Sequence, residues 1–254
     1  AVSIGVLSLI GLVMLSYMRP PQSGIESDAA TRIIQALPPA DVAVTAIRQI
    51  TSPAVPGSDA TFEQAEMAHR AGYRHMTHLY SAMSGVKRVR GRRIAGAIEA
   101  GLAIDGLTVE MIADGMHLPP GLLRLILKCK GADRIALVTD AMRAAGMPEG
   151  EYLLGSGGEG QRVIVDEGVA WLPDRSAFAG SVALGIRLVG NMVNLAGAGI
   201  VEAVRMMSLN PAKMIGLEGS IGSIAEGKLA DITLFDDEFR ISDTFVVGEA
   251  VYRI

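Results

Sequence analysis

From Ser58 onward, apolar and polar positions switch repeatedly between a helical and a strand-like period. A helix opens in Asp59-Ala-Thr-Phe-Glu-Gln and runs to Ala71, where Gly72 stops it. Arg74 to Leu79 reads as a short strand, Arg93 to Leu102 as a helix, and Leu107 to Ile112 as a strand. Pro119 to Lys130 is the next helix and Arg134 to Val138 the next strand. Strands alternating with helices of about ten residues predict parallel βα units. Beyond Asp140 the texture changes. Gly146 to Pro173 is rich in glycine and β-branched residues and alternates like hairpins. Gly185 to Ala198 and Ile200 to Ser208 are helical, and Asn210-Pro-Ala-Lys starts a further helical turn. Gly219 to Ile254 reads as short strands with glycine turns, a small β-layer beside the parallel units.

Ahead of Ser58 the pattern is weaker. Ser27 to Leu37 is expected to be a helix with Ser27 or Asp28 as N-cap, ended by Pro38-Pro39. Asp41 to Ile50 alternates like a strand. Ala1 to Met18 carries no charge and approaches the length of a membrane span. It lacks a basic leader, and Gly5 and Gly11 weaken a helix. A buried strand–helix element, a membrane segment and an aberrant sequence compete for it; the first is adopted here, and no membrane partner is expected. The chain opens on Ala rather than Met, as a processed or partial product would.

Composition narrows the function classes. Half of the residues are apolar, so a core is readily supplied, and the net charge of −4 favours neither nucleic acid nor an acidic membrane surface. The scarcity of aromatics also counts against base stacking. The single cysteine, Cys129, excludes an intramolecular disulfide and is expected to be a half-buried helix residue. A reducing cytoplasm fits this usage.

The polar residues follow the strands: His78 after the first, Asp114 and His117 after the second, Asp140 after the third. In parallel βα architectures the chemistry sits on the loops at the C-terminal strand ends. His69 reads as a solvated helix residue. His75 and His78, three apart on one strand, should face opposite sides and not share an ion. His78 competes between metal ligand and core histidine. His117, in a glycine-relaxed loop, competes between ligand contact and loop structure. Asp140 at a strand end would be costly unless paired, while Asp114 equally suits a turn that bonds its own backbone. Lys87 to Arg93 is either a solvated basic loop or an anion site, because forked guanidinium groups suit phosphate. The glycine run from Gly155 to Gly160 lacks a following Lys-Ser/Thr and reads as a turn.

Seven segments, in order, resemble the N-acetylglucosamine-6-phosphate deacetylases of the amidohydrolase superfamily. They are Ser-Asp-Ala-Thr-Phe-Glu-Gln (58–64), Thr-His-Leu-Tyr-Ser-Ala-Met (77–83), Ile-Ala-Asp-Gly-Met-His (112–117), Leu-Val-Thr-Asp-Ala-Met (137–142), Phe-Ala-Gly-Ser (178–181), Asn-Pro-Ala-Lys (210–213) and the run from Gly222 to Asp231. The resemblance implies an α/β chain. It would be a (β/α) TIM-type barrel, incomplete at its N-terminal side, with a small C-terminal β segment. Residues 1–57 match poorly, 58–216 form the barrel portion and 217–254 the β segment. The implied activity is metal-dependent deacetylation of an N-acetylated amino sugar phosphate, with a divalent metal (zinc, or alternatively iron), a homodimer and a cytoplasmic location.

Carried over by residue, the resemblance implies His78 as metal ligand and Asp140 as the acid/base. It implies His117, Ser81, Ala82, Arg90, Ala179 and Gly180 as substrate-binding residues. Ala82 would touch the phosphate through its backbone, and Arg90, from the 88–93 stretch, would reach it across the dimer. Three departures stand out. Ser81 replaces the family's Asn, and Arg-Gly-Arg-Arg replaces its Arg-Glu-Pro-Gly run. Gly57 precedes Ser58 where the family places a ligand histidine. The family's Glu-Gly-Pro segment and its early His-x-His strand are absent. A catalytically inactive homologue that binds a sugar phosphate is the rival reading. A third is another amidohydrolase with a one-metal site drawing on Glu26, Asp28 or Asp41.

Overall fold

The computed structural model describes residues 3–5, 49–50, 60–155 and 160–254. The expected helix at 27–37, most of the expected strand at 41–50 and most of the apolar run at 1–18 lie outside these residues. Two short backbone pieces come first: β1 (Ser3–Gly5) and β2 (Gln49–Ile50). Helix α1 (Phe62–Arg70) begins three residues after Asp59, where the pattern opened it, because Thr61 caps it. The Thr61 N–H donates to Gln64 Oε1 at 2.9 Å and the Gln64 N–H to Thr61 Oγ1 at 3.4 Å, a reciprocal capping box. Strand β3 (His75–Met76) follows.

The basic stretch is a hairpin, not a loop: β4 (Lys87–Val89) pairs antiparallel with β5 (Arg92–Ile94). Its two tip residues, Arg90 and Gly91, both have positive φ (46° and 82°). That geometry matches the twist of a two-residue hairpin loop, and the glycine adopts it freely. The expected helix at 93–102 is displaced accordingly to α2 (Ala97–Ala103). Gly96 at its start leaves no room for a side chain, since a Cβ there would lie 2.3 Å from the Ser84 carbonyl oxygen. Ser84 instead caps the helix, its hydroxyl accepting from the Ala97 N–H at 3.1 Å.

Strand β6 (Thr108–Met111) leads to helix α3 (Pro120–Lys130). A 3-10 turn, Ala132–Arg134, leads on to the fully buried β7 (Ile135–Leu137). Proline at the first turn of α3 and Gly131 after its end, at φ 70°, follow the usual helix punctuation. The α3 stripe that reaches the core is Leu123, Ile126 and Lys130. Cys129 falls off that stripe and is exposed, contrary to expectation. Lys130 is buried, its Nζ donating to the Ile104 carbonyl at 2.9 Å. Burial, together with the nearby Arg134 charge, lowers its pKa.

Strands β2, β3, β6 and β7 form one parallel sheet in that order. Then come β8 (Gly150–Leu154), β9 (Gln161–Asp166), β10 (Val169–Trp171) and β11 (Phe178–Ser181), an antiparallel sheet. Helix α4 (Gly185–Asn191) continues into a π-helical turn at Met192–Ala196, which interrupts the expected single helix. Helices α5 (Ile200–Met207) and α6 (Leu209–Met214) follow. The buried Asn210 ties α6 to β7, its Nδ2 donating to the carbonyls of Ala132 (2.6 Å) and Ile135 (2.8 Å). Finally β12 (Ile232–Phe235), β13 (Ile241–Val246) and β14 (Glu249–Arg253) form an antiparallel layer that β1 joins at β12. The main core joins β3, β6 and β7 to α3, α4 and α5 through Met76, Val109, Leu123, Ile135, Leu188 and Met206. Each such buried side chain stabilises the fold by roughly 1.5–3 kcal/mol. Among the described residues no helix is long and apolar enough to cross a membrane.

Candidate active site at the strand ends

Register sets the site. Met76, Val109 and Ile135 stand side by side in adjacent parallel strands. The chain beyond each strand therefore emerges at one edge: His78 after β3, Asp114 and His117 after β6, Asp140 after β7. The carboxyl edge of a parallel sheet is where ligands bind in α/β folds.

The first loop is bent hard. His78, Tyr80 and Ala82 have φ of 26°, 82° and 52°. Left-handed non-glycine residues cost on the order of 1–3 kcal/mol each and cluster at functional sites. The strand ends at Met76, so the alternation expected to part His75 from His78 does not reach His78. Both residues meet Glu110, a residue that sequence reasoning missed. Glu110 Oε1 bonds His75 Nε2 at 3.0 Å, while Oε2 accepts from the Thr77 hydroxyl (2.5 Å) and the His78 N–H (3.2 Å). His75 Nδ1 pairs with Thr108 Oγ1 at 2.8 Å, so both of its nitrogens are engaged. His78 Nδ1 is buried and has no partner among the described residues. His69 is half-buried rather than solvated, with Nδ1 3.0 Å from the Tyr73 carbonyl.

The second loop is built on Asp114, whose side chain is fully buried. Oδ1 accepts from the N–H groups of Met116 (2.9 Å) and His117 (2.8 Å), the self-bonded turn that its position suggested. Oδ2 lies 2.7 Å from His117 Nδ1. Helix α4 supports the loop from behind: Asn191 Nδ2 donates to the Ala113 carbonyl (2.9 Å) and Arg187 Nη2 to the Asp114 carbonyl (3.1 Å). His117 Nε2 has no partner among the described residues. Asp140, by contrast, is exposed with φ 45°. Its carboxylate stays hydrated, so the expected cost of an unpaired buried charge does not arise. Backbone strain is the signal it carries instead.

Strand β11 joins the second loop to the third. The Ser181 N–H donates to the Asp140 carbonyl at 3.1 Å, and the Met142 N–H donates to the Ser181 carbonyl at 2.8 Å. A Cβ on Gly180 would lie 3.5 Å from that Asp140 oxygen. Phe178, on the same strand, has its ring centroid 4.8 Å from that of His117. Strand β11 thus touches Asp140 through Ser181 and His117 through Phe178, with Gly180 against the Asp140 backbone and Ala179 buried in the core of its own sheet. Ser81 and Ala82 belong to the His78 loop. Arg90 sits exposed at its hairpin tip, and no described hydrogen bond, ion pair or ring contact joins it to the others.

Glu110 and Asp114 respond alike to their surroundings. Burial pushes each carboxyl pKa up, but hydrogen bonds and the facing imidazole, His75 or His117, outweigh it and leave both lowered. A carboxylate with a folded pKa below its unfolded one stabilises fully above the unfolded value, and that share is lost as pH falls through the folded value. The urea midpoint is therefore expected to fall as pH drops below about 4.5, near the ordinary carboxylate range. Glu110→Gln should flatten that fall in a pH series of urea melts.

A catalytic zinc commonly takes three protein ligands. Among the described residues no three His, Cys, Asp or Glu side chains are grouped to hold an ion. The unpartnered His78 Nδ1 is a donor suited to one, but alone it does not complete a centre. Residues 1–57 contain no histidine.

The profile described as the amidohydrolase family matches residues 48–251. The chain belongs to the amidohydrolase family. It is 34% identical over 227 residues to the N-acetylgalactosamine-6-phosphate deacetylase of Escherichia coli O157:H7, covering 88% of this chain and 58% of that one. It is 36% identical over 195 residues to the N-acetylglucosamine-6-phosphate deacetylase of Vibrio furnissii, covering 77% and 46%. The chain thus spans about half the length of these curated relatives. Among solved structures, the N-acetylglucosamine-6-phosphate deacetylase of Pasteurella multocida matches with a TM-score of 0.68 at 34% identity, over 76% of this chain and 48% of that one. A mutant of the Mycobacterium smegmatis enzyme in complex with N-acetyl-D-glucosamine-6-phosphate matches with a TM-score of 0.69 at 29% identity, over 92% and 62%.

Proposed function

We propose that this amidohydrolase site acts on an N-acetylated amino sugar phosphate, N-acetylglucosamine 6-phosphate foremost, and removes its acetyl group. The observation that carries the reading is that one strand, β11, holds both Asp140 and His117 at the carboxyl edge of the parallel sheet. The four parallel strands are taken as part of a β/α barrel incomplete at its N-terminal side. Residues 58–216 belong to that portion and 217–254 to the C-terminal β segment.

In this reading His117, its Nδ1 held by Asp114, offers Nε2 to a ligand oxygen. Asp140, free of side-chain partners among the described residues, takes a proton from the attacking water and passes it to the leaving amine nitrogen. The bent backbone at 78–82, with the Ser81 hydroxyl and the Ala82 N–H, faces the phosphate; the N–H groups of His78, Leu79 and Ser81 are already spent on Glu110 and the His78 carbonyl. Ala179 and Gly180 line the sugar, and Arg90 reaches the phosphate in a homodimer. Amidohydrolases as a family use a divalent metal; zinc or iron would suit the His78 imidazole. Because the described donors do not complete a centre, no step is drawn through the ion. A cytoplasmic location suits this reading.

The donor set favours a second reading, in which the site binds the sugar phosphate without turning it over. Both are tested on one sample by measuring metal per chain and acetate release from N-acetylglucosamine 6-phosphate, with and without added zinc. Acetate release with close to one metal per chain is the expected result. No release and no metal, with ligand still bound in the presence of a chelator, would replace catalysis by binding.

A further inference from the structure

His117 is held twice, and the second hold comes from outside its own loop. The hydrogen bond to Asp114 fixes one atom of the ring, Nδ1. That bond restrains the ring at Nδ1, while the orientation of its plane also depends on what packs against its face. Phe178 lies against the imidazole with centroids 4.8 Å apart and planes at 48°. Trp171, its register partner across β10 and β11, backs Phe178 at 4.6 Å and 60°. Arg175 covers the indole at 5.5 Å and is itself ion-paired to Asp166. Neither Phe178 nor Trp171 belongs to the buried core of this sheet, which is made of Val163, Val165, Ala170 and Ala179 with Met142 and Ala144. The two rings form a ring-on-ring stack that ends on His117.

We infer that Phe178, backed by Trp171, is a positioning residue that fixes the tilt of the His117 imidazole and so aims its free nitrogen at the ligand. Ring pairs of this kind contribute about 0.5–1.5 kcal/mol beyond burial. Ser181 on the same strand bonds the Asp140 backbone, so the β8–β11 sheet sets both groups at once. The inference rests on the reading of His117 as a ligand contact, but its first test needs no ligand.

That test is the His117 Cε1–H resonance in the NMR spectrum of the full chain, assigned by its loss in His117→Gln. The faces of Phe178 should shift it away from the position of a free imidazole. Phe178→Leu is expected to move it back, Phe178→Tyr to keep it shifted, and Trp171→Leu to move it in the same direction as Phe178→Leu by less. An unchanged resonance in Phe178→Leu overturns the inference. With N-acetylglucosamine 6-phosphate as probe, Phe178→Leu should raise the dissociation constant about 2- to 10-fold. It should raise it no further in a His117→Ala background, since both changes remove one interaction. Equal weakening in both backgrounds overturns it. A wild-type chain that does not bind this probe refutes the proposed substrate, and the resonance alone then decides the role of Phe178.

Discussion

In the proposed deacetylation, Asp140→Asn is expected to lower turnover of N-acetylglucosamine 6-phosphate by about 10²- to 10⁴-fold, the usual contribution of a positioned acid/base. Asparagine has the same shape and tolerates the left-handed conformation, so the φ of 45° is retained. The wild-type carboxylate is exposed and makes no side-chain bond among the described residues. Stability should therefore change by no more than about 0.5 kcal/mol, as for other surface substitutions. Steady-state kinetics beside a urea melt separates the two quantities. Turnover within about threefold of wild type would remove Asp140 from proton transfer, because the remaining amide cannot take up the proton.

Asp114→Ala should be the most destabilising single change at the site. The carboxylate accepts from the Met116 N–H, the His117 N–H and His117 Nδ1 in one fully buried side chain. Removing it leaves three donors without an acceptor, and each buried donor left unsatisfied costs about 1–3 kcal/mol. Asp114→Asn keeps an oxygen for the two backbone donors but presents an amide to the ring. It should restore much of the stability while leaving His117 misaligned. Urea midpoints of the two variants, with the His117 resonance as the second readout, test this. A loss below about 1 kcal/mol in Asp114→Ala would mean that Asn191, Arg187 and packing hold the loop without the carboxylate, since one ordinary hydrogen bond is worth about that much.

The apolar pattern alone predicted the α1, β3, β6, α3 and β7 series within a residue or two at most ends, because each element carries its own period and its own caps. It failed where the cause lay elsewhere in the chain. The start of α2 is set by Ser84, which caps it from thirteen residues upstream. The basic stretch was read by charge, and the hairpin follows from two positive φ values at Arg90 and Gly91. Cys129 has apolar neighbours in sequence, but the spacing of Leu123, Ile126 and Lys130 leaves it off the buried stripe.

The same division runs through the site. The sequence by itself determined that His78, Asp114, His117 and Asp140 follow successive strands, and parallel pairing is sufficient to bring such positions to one edge. Glu110 was legible in principle: Thr108 and Glu110 share a parity in β6, so Glu110 stands two residues beyond the Thr108 that pairs with His75, and polar residues of one parity meet neighbours on the adjacent strand. Only the tertiary structure decided which histidines are spent. Among the described residues, His75 is consumed by Thr108 and Glu110, His117 keeps Nε2 without a partner, and His78 keeps a buried nitrogen unpartnered. Only the tertiary structure placed Phe178 and Ser181, more than forty residues beyond β7, against His117 and Asp140. Periodicity reports which way a residue faces within its own element, whereas hydrogen-bond satisfaction depends on partners that are near only after the chain has folded.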